Sequence, residues 1–160
     1  MRMNEGVEWA AHVLLLLDWV DSDRPMSTTR LAAGYELPPP YLNKQLQALV
    51  RAGLLTSTPG ARGGFRLARP LDKITLMDVV TAIEGPDEAF RCTEIRRHGP
   101  GRDAPERVYD SPCAVNAAMR RAELAWRQAL AEQTLADVQA EAEAHAPRLG
   151  EQLRAWHERT

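Results

Sequence analysis

The sequence has 160 residues, of which 44% are hydrophobic, and its formal net charge at pH 7 is -2. A chain of this size can bury one good core, or a small domain with a long appendage. Its longest apolar run, residues 13–17, is too short to span a bilayer, and no signal-peptide pattern precedes it. We therefore expect a cytoplasmic protein that has no membrane partner.

Charge is distributed unevenly along the chain. Residues 37–71 contain no Asp or Glu, while the bases in this window are Lys44, Arg51, Arg62, Arg66 and Arg69. From Glu132 onward the acids outnumber the bases. A basic patch inside a nearly neutral protein is the pattern expected for contact with nucleic-acid phosphates.

The first predicted helix covers residues 6–20 and carries a carboxylate and an imidazole one turn apart. The i, i+4 spacing of Glu8 and His12 places both side chains on one face, with Cβ atoms roughly 5–6 Å apart. Because the same stripe continues through Leu15 and Trp19, we expect this face to lie against protein. A buried charge then needs a partner. The alternative is a Glu at the positive end of the helix dipole beside a half-buried His.

Two short helices follow. Ser27 is a good N-cap for a helix that ends near Gly34. In "PPPYLNKQLQALVRAGLL" the prolines suit the approach to a second helix. Its apolar stripe has helical spacing and consists of Leu42, Leu46, Leu49 and Val50. Two short helices joined by a tight turn predict a helix-turn-helix.

A β-hairpin and a further helix come next. "LLTSTPGARGGFRLARP" predicts two short strands around a glycine-rich turn at residues 59–64. A hairpin directly after the second helix of a helix-turn-helix is a wing. "ITLMDVVTAIEG" predicts another helix, with Thr75 as its cap and Gly85 as its end.

The exposed positions of this region predict a DNA-binding face. Asn and Gln side chains can pair with base edges, whereas Lys44 suits a phosphate. Arg62 lies between glycines at the predicted tip of the wing, from which its side chain can enter the minor groove of DNA. The predicted DNA contacts are Ser27, Thr28, Tyr41, Asn43, Lys44, Gln47, Arg62 and Gly63. The alternative is a merely solvated helix face.

An irregular loop, residues 86–111, is framed by the two cysteines, Cys92 and Cys113. In a reducing compartment this pair favours metal or redox chemistry over a structural disulfide. Three alternatives stay open: two thiols without a ligand role, a zinc site completed by a His and a Glu, and a thiol–disulfide switch. His98, inside the loop, competes with His12 as a ligand.

The last third of the chain is predicted to be helical. The pair Ser111-Pro112 predicts the start of a long helix. One face of this helix carries small apolar residues, which favours packing against a helix from a second subunit. Residues 135–159 form a further helical segment with a break at Pro147. We divide the chain into a winged helix-turn-helix domain (1–85), a ligand-binding loop (86–112) and a dimerisation helix with a helical tail (113–160).

The order of these blocks, ending in "AGLL", "GGFRLARP" and "ITLMDVVTAIEG", resembles the Rrf-type winged-helix regulators, the bacterial family that includes IscR and NsrR. The resemblance covers roughly residues 7–136. It implies a mainly α fold with a small β-hairpin and a long dimerisation helix. It also implies a homodimer that binds double-stranded operator DNA and holds an iron–sulfur cluster on three grouped cysteines.

The chain departs from this family pattern because it has two cysteines in this region instead of three. A [2Fe–2S] cluster needs four protein ligands, and His can replace Cys on one iron. "VEWAAH" with the two-cysteine loop looks like the redox-sensing RsrR-like branch, in which an N-terminal Glu and His complete the site. This resemblance implies Glu8, His12, Cys92 and Cys113 as ligands, supplied by one subunit or by two.

The predicted function is a dimeric repressor whose operator binding depends on the redox state or presence of a [2Fe–2S] cluster. The alternatives are a cluster-free regulator that uses zinc or a Cys92/Cys113 thiol switch, and a helical dimerisation adaptor. We expect no enzyme and no small-molecule substrate, because the sequence has no phosphate-binding glycine loop and no nucleophile elbow.

Overall fold

The computed structural model describes residues 3–159 and is mainly helical, with one two-stranded antiparallel sheet. Its elements are α1 (Glu5–Val20), α2 (Thr28–Gly34), α3 (Pro39–Arg51), β1 (Leu55–Thr58), β2 (Gly64–Leu67), α4 (Leu76–Glu84), α5 (Ala114–Ala131), α6 (Leu135–His145) and α7 (Leu149–Arg159). Short 3-10 turns lie at Leu71–Lys73, Ile95–Arg97, Gly99–Gly101 and Glu106–Val108. The predicted fold class, mainly α with a small β-hairpin, is confirmed.

The core is built around α1. Asn4 caps this helix, because its side-chain oxygen accepts a hydrogen bond from the Gly6 amide at 2.8 Å. The buried apolar residues of α1 are Ala10, Val13, Leu14, Leu15, Leu16, Trp19 and Val20. Full burial of a large aliphatic side chain stabilises a fold by about 1.5–3 kcal/mol. Residues 13–16 of the apolar run lie at the centre of the core, with α3, α4 and α7 packed around α1, and Leu17 is partly buried at its edge.

The helix-turn-helix forms as predicted. Ser27 caps α2, its hydroxyl accepting a hydrogen bond from the Arg30 amide at 3.3 Å. The inner face of α3 buries Leu42, Leu46 and Leu49 completely. The fourth residue of the predicted stripe, Val50, is only half-buried.

One polar contact joins α3 to the first turn of α1. Gln45 is 7% exposed, and its side chain lies against Gly6, which is itself buried. A Cβ atom on Gly6 would lie 2.7 Å from Cδ of Gln45, closer than real Cβ contacts. The first turn of α1 therefore contacts α3 through the end of the Gln45 side chain.

The wing is attached to the helix-turn-helix through its backbone. β1 and β2 pair in the register Leu55↔Leu67 to Thr58↔Gly64, as the predicted hairpin requires. The amide of Met26, just before α2, donates to the Phe65 carbonyl at 3.0 Å, and the Phe65 amide donates back at 2.9 Å. These two bonds fix the wing beside α2.

The predicted ends of α4 are confirmed. Thr75 and Asp78 form a reciprocal capping box, and Gly85 ends the helix with a positive φ of 90°. The start of α4 is tied to the junction of α5 and α6, because the Leu76 amide donates to the Gln133 carbonyl at 2.9 Å.

The predicted start of α5 is wrong by two residues. Cys113 is the N-cap and Ala114 the first helical residue, whereas the sequence predicted Ser111 as the cap. The Ser111 carbonyl accepts a hydrogen bond from Arg96 at 3.1 Å, which holds this part of the chain in the loop. No residue of α5 is fully buried, and its outer apolar side chains Val115, Met119 and Leu124 are 62%, 43% and 67% exposed.

The C-terminal segment folds back onto the first two helices. The predicted break near Pro147 is confirmed, because it separates α6 from α7. A guanidinium nitrogen of Arg154 donates to the Trp19 carbonyl at 3.1 Å, and the Trp156 ring lies against Gly34 at the end of α2. The division at residues 85 and 112 stays a prediction, and α7 packs against helices of its first part.

Candidate nucleic-acid interface and metal site

The outer face of α3 presents polar side chains that carry no negative charge. Tyr41, Asn43, Lys44 and Gln47 are all exposed, opposite the buried leucines. Tyr41 is 67% exposed. α3 contains no acid, so this side of the helix offers donors, acceptors and the cations of Lys44 and, seven residues on, Arg51.

The bases of the acid-free window fall into two groups. Arg66 donates to the Ser22 carbonyl at 3.1 Å, and Arg69 forms an ion pair with Asp78 at 3.5 Å. These two arginines support the fold. Lys44, Arg51 and Arg62 are exposed and form no ion pair within residues 3–159, so they are available to an external phosphate.

A cleft of about 600 Å³ separates the helix-turn-helix from the wing. Its lining includes four predicted contacts, Ser27, Thr28, Gln47 and Gly63. It also includes Thr29, Ser57 and Thr58, which were not predicted from the sequence. The signal that could have found the strand residues is the hydroxyl-rich segment "TST" before the glycine turn. Hydroxyl groups in such a cleft suit phosphate oxygens and base edges alike.

Gly63 and Arg62 have different roles in the wing turn. The Gly63 amide closes the turn by donating to the Gly60 carbonyl at 2.9 Å. A Cβ atom on Gly63 would lie 2.0 Å from the Thr58 carbonyl oxygen, so this position requires glycine. Arg62, exposed at the tip, is the residue of this pair whose side chain can reach a ligand.

The structure brings the two cysteines together. Cys92 and Cys113 line the same cavity of about 510 Å³, and both are free thiols. Cys92 is exposed, while Cys113 is 9% exposed at the start of α5. The rest of the lining is Phe90, Arg91, Thr93, Ile95, Arg96, Ala114 and Val115. This is a mostly apolar pocket with two soft sulfur donors.

The Cys113 sulfur lies among groups that favour its thiolate form. The backbone amides of Asn116 and Val115, at the beginning of α5, lower the pKa of the Cys113 thiol, and the Arg96 charge adds to this effect. The Cys92 sulfur accepts a hydrogen bond from the Glu94 amide at 3.4 Å. A thiolate is the form of cysteine that binds metal.

Arg96 holds the loop around this cavity. Its guanidinium pairs with the Glu94 carboxylate through two nitrogens and also donates to the Val108 carbonyl at 3.3 Å. Hydrogen bonding to Arg96 lowers the pKa of Glu94. Arg97 lies over the Tyr109 ring, 4.3 Å from its centroid. The predicted irregular loop is therefore three 3-10 turns connected by arginine contacts.

The expectation that Glu8 and His12 face protein is wrong for the single chain. Both side chains are exposed. Leu15 and Trp19 of the predicted stripe are buried, because they lie further along α1, where α7 and α6 cover it. The His12 ring lies 5.6 Å from the Tyr35 ring, and the Tyr35 hydroxyl donates to the His12 carbonyl at 3.1 Å. The Glu8 and His12 side chains thus remain open to an external partner.

The predicted ligands form two half-sites in one chain. Within residues 3–159, no three His, Cys, Asp or Glu side chains lie close enough to hold one metal ion. The sulfur pair on the loop and the carboxylate–imidazole pair on α1 are therefore separate. His98 is exposed and does not line the cysteine cavity. A four-ligand cluster site fits these residues only if two chains contribute.

A helix-turn-helix, a hairpin bonded to it and an acid-free outer helix face define a winged helix-turn-helix protein. The chain belongs to the Rrf2 family, described as iron-dependent transcriptional regulators, whose model matches residues 3–141. The family resemblance stated from the sequence and the winged-helix fold class are thereby confirmed.

Individual relatives agree with this assignment. The chain is 33% identical over 140 residues to a putative HTH-type transcriptional regulator, YwgB of Bacillus subtilis, covering 86% of this chain and 84% of that one. It is similar in fold to CymR, the global cysteine regulator of B. subtilis, with a TM-score of 0.65, 23% identity and coverage of 88% and 98%. It is also similar in fold to IscR of T. potens, with a TM-score of 0.62, 20% identity and 91% of each chain covered.

A helix that spans a membrane must be both long and apolar. In the part of the chain that the structure describes, no helix meets both requirements.

Proposed function

We propose that this chain is a homodimeric transcriptional repressor that binds double-stranded operator DNA through α3 and the wing. The observation that carries the proposal is the exposed, acid-free face of α3 beside a hydroxyl-lined cleft. Lys44 and Arg62 supply the phosphate contacts, and Asn43 and Gln47 read base edges. Ser27, Thr28, Tyr41 and Gly63 complete the surface that approaches DNA.

A second copy of the chain suits the outer face of α5. Val115 and Met119 lie one turn apart on the same side of α5 and are 62% and 43% exposed, on a helix that has no fully buried residue. A helix with an apolar outer stripe gains stability by packing against another helix. Dimerisation also allows two α3 helices to read a palindromic operator.

The proposed regulatory group is a [2Fe–2S] cluster, as in the RsrR-like branch. Glu8 and His12 of one protomer and Cys92 and Cys113 of the other would hold it. Such a cluster supplies a one-electron redox change, and a site with two thiolates carries less negative charge than an all-cysteine site. The separate half-sites support ligation across the dimer, because Glu8, His12 and Cys92 are exposed and Cys113 lines the same cavity as Cys92.

A change at the α1 half-site has a direct route to the DNA-binding face. Glu8 lies two residues after Gly6, and Gly6 packs against Gln45 of α3 without room for a Cβ atom. The outer side of the same helix carries Lys44 and Gln47. A movement of the first turn of α1 would act first on the Gln45 side chain, and this contact is the route that we propose from the half-site to DNA affinity.

A cluster-free regulator is the second candidate. Cys92 and Cys113 are free and line one cavity, so they also suit a disulfide switch or, with a His and a Glu, a zinc site. Metal and sulfide analysis of anaerobically purified protein separates these cases. Iron and sulfide in equal amounts support the cluster, and zinc without visible absorbance supports a zinc site. Protein without metal whose DNA affinity changes on thiol oxidation supports the disulfide switch.

The DNA-binding proposal predicts different results for Lys44→Ala and Gln47→Ala. Loss of one phosphate contact weakens binding to all duplexes by about 1–2 kcal/mol, roughly five- to thirty-fold, and lowers the salt slope by about 1. Loss of a base reader relaxes the preference at particular base pairs instead. Fluorescence anisotropy across a salt series, on a selected duplex and its single-base variants, measures both effects.

Lys73→Ala is the matched control for this experiment. Lys73 pairs with Asp72 at 3.1 Å on the turn before α4, away from α3 and the wing, so we expect no change. Equal weakening on every duplex by Lys44→Ala and Gln47→Ala would contradict the division into phosphate contacts and base readers. No binding of the wild type to any duplex would favour the dimerisation adaptor.

A further inference from the structure

A hydrogen bond links the two helices of the helix-turn-helix at their exposed side. Thr28 is the first residue of α2, and its hydroxyl donates to the side-chain oxygen Oδ1 of Asn43 in α3 at 3.3 Å. Thr28 is half-buried and lines the cleft beside the wing, while Asn43 is exposed. Both residues were predicted from the sequence as DNA contacts, but no contact between them was predicted.

This bond selects which part of the Asn43 amide is available to DNA. Oδ1 and Nδ2 are bonded to the same carbon, so turning Oδ1 toward Thr28 directs Nδ2 the other way. We propose that Thr28 is a positioning residue that presents Asn43 to a base pair as a hydrogen-bond donor. The inference rests on the proposed DNA-binding function and deepens it, because it names what this position recognises.

Hydrogen-bond chemistry predicts which bases the Asn43 amide favours with and without Thr28. An unrestrained asparagine pairs with adenine through both groups, Nδ2 donating to N7 and Oδ1 accepting from N6. Thr28 occupies one of the two acceptor positions of Oδ1 and turns this oxygen toward α2, so the amide presents mainly its Nδ2 donor to DNA. The major-groove groups that accept such a bond are N7 and O6 of guanine, N7 of adenine and O4 of thymine. Thr28 thus reduces the advantage of adenine at the base pair that Asn43 contacts.

Two neighbouring residues show that this arrangement is particular to Thr28 and Asn43. Gln47 is the other amide on the face of α3, and it forms no side-chain hydrogen bond to another residue within 3–159. It keeps both amide groups for DNA. Thr29 is exposed, lines the same cleft and has the same hydroxyl, but does not bond Asn43. Thr29→Val is therefore the matched control.

The test begins with selection of a binding site from a randomised duplex library. Dissociation constants are then measured on all single-base variants of that site for wild type, T28V, T29V, N43A and the double variant T28V/N43A. We expect T28V to change discrimination about three- to ten-fold at one base pair, the value of one hydrogen bond, with a shift toward adenine. N43A should alter the same base pair, and the double variant should match N43A.

The remaining variants separate positioning from folding. T28S keeps the hydroxyl and should keep the wild-type preference, even if T28V lowers the melting temperature. T29V should leave the discrimination at that base pair unchanged, whatever its effect on overall affinity. Effects of T28V and N43A at different base pairs, or additive effects in the double variant, would overturn the inference while leaving the regulator proposal intact. A wild type that binds duplexes without any base preference would overturn both.

Discussion

We expect protein carrying Cys113→Ser, purified without oxygen, to contain neither iron nor sulfide and to lack visible absorbance. Serine leaves one thiolate in the cavity, and a hydroxyl is a poor replacement because thiolates are the soft ligands that hold iron–sulfur clusters. Cys92→Ser should have the same result. His12→Ala should alter the spectrum, because imidazole is replaced by a weaker ligand or by solvent.

The arrangement across two chains can be tested by mixing variants. One tagged chain carries Glu8→Gln with His12→Ala, and a second, differently tagged chain carries Cys92→Ser with Cys113→Ser. Neither homodimer has a complete site. In a heterodimer, ligation across the dimer restores one complete site per dimer, whereas ligation within a chain restores none. Iron and sulfide in the doubly purified heterodimer therefore distinguish the two arrangements.

A histidine in the loop serves as the control for the ligand assignment. His98 is exposed and lies outside the cysteine cavity, so His98→Ala should leave the spectrum unchanged. A spectrum that changes with His98→Ala but not with His12→Ala would transfer the ligand role to His98. Zinc in place of iron, in protein without visible absorbance, would refute the cluster.

The second large effect is expected at the attachment of the wing. Gly64 has a positive φ of 154°, and a Cβ atom there would lie 2.4 Å from backbone atoms of Met26. Met26 is the residue that exchanges two backbone hydrogen bonds with Phe65. Gly64→Ala must separate these segments, and we expect the free energy of unfolding to fall by about 2–4 kcal/mol.

Gly60→Ala separates the effect of the steric clash with Met26 from the effect of a positive φ alone. Gly60 also has a positive φ, 100°, but a Cβ atom added there would meet nothing within 4 Å, so the change should cost about 1–2 kcal/mol. Urea unfolding measures both variants. Hydrogen exchange of the Phe65 amide, which donates to Met26, should accelerate more in Gly64→Ala than in Gly60→Ala. Equal stability of the two variants would show that the wing attachment does not depend on the close approach at Gly64.

The local structure of this protein was predictable from its sequence because the forces that set it act over a few residues. Ser27 and Thr75 cap their helices with bonds to amides three residues on, and Gly85 ends α4 with a positive φ. The leucine spacing in α3 identified its buried face, and the glycines of the wing identified the turn. These features predicted a winged helix-turn-helix before any long-range contact was known.

Packing between distant elements decided which part of a helix face is buried and where α5 begins. One face of α1 carries four residues at helical spacing, Glu8, His12, Leu15 and Trp19. Helices α6 and α7 cover only the second half of this face. The spacing identifies a shared face and cannot identify which neighbours reach it. The start of α5 lies at Cys113 because Arg96 holds the Ser111 carbonyl, a contact between residues that no local rule connects.

The candidate metal site also depends partly on residue types and partly on tertiary packing. The sequence by itself predicted a role for Cys92 and Cys113, since two cysteines beside an irregular loop favour metal or redox chemistry in the reducing compartment that the sequence led us to expect. Tertiary structure decided that the pair lines one cavity beside Arg96, and that Glu8 and His12 stay apart from it in a single chain. The reason is physical: residue types and spacing determine which ligands are available, whereas distances between ligands depend on how separate elements pack.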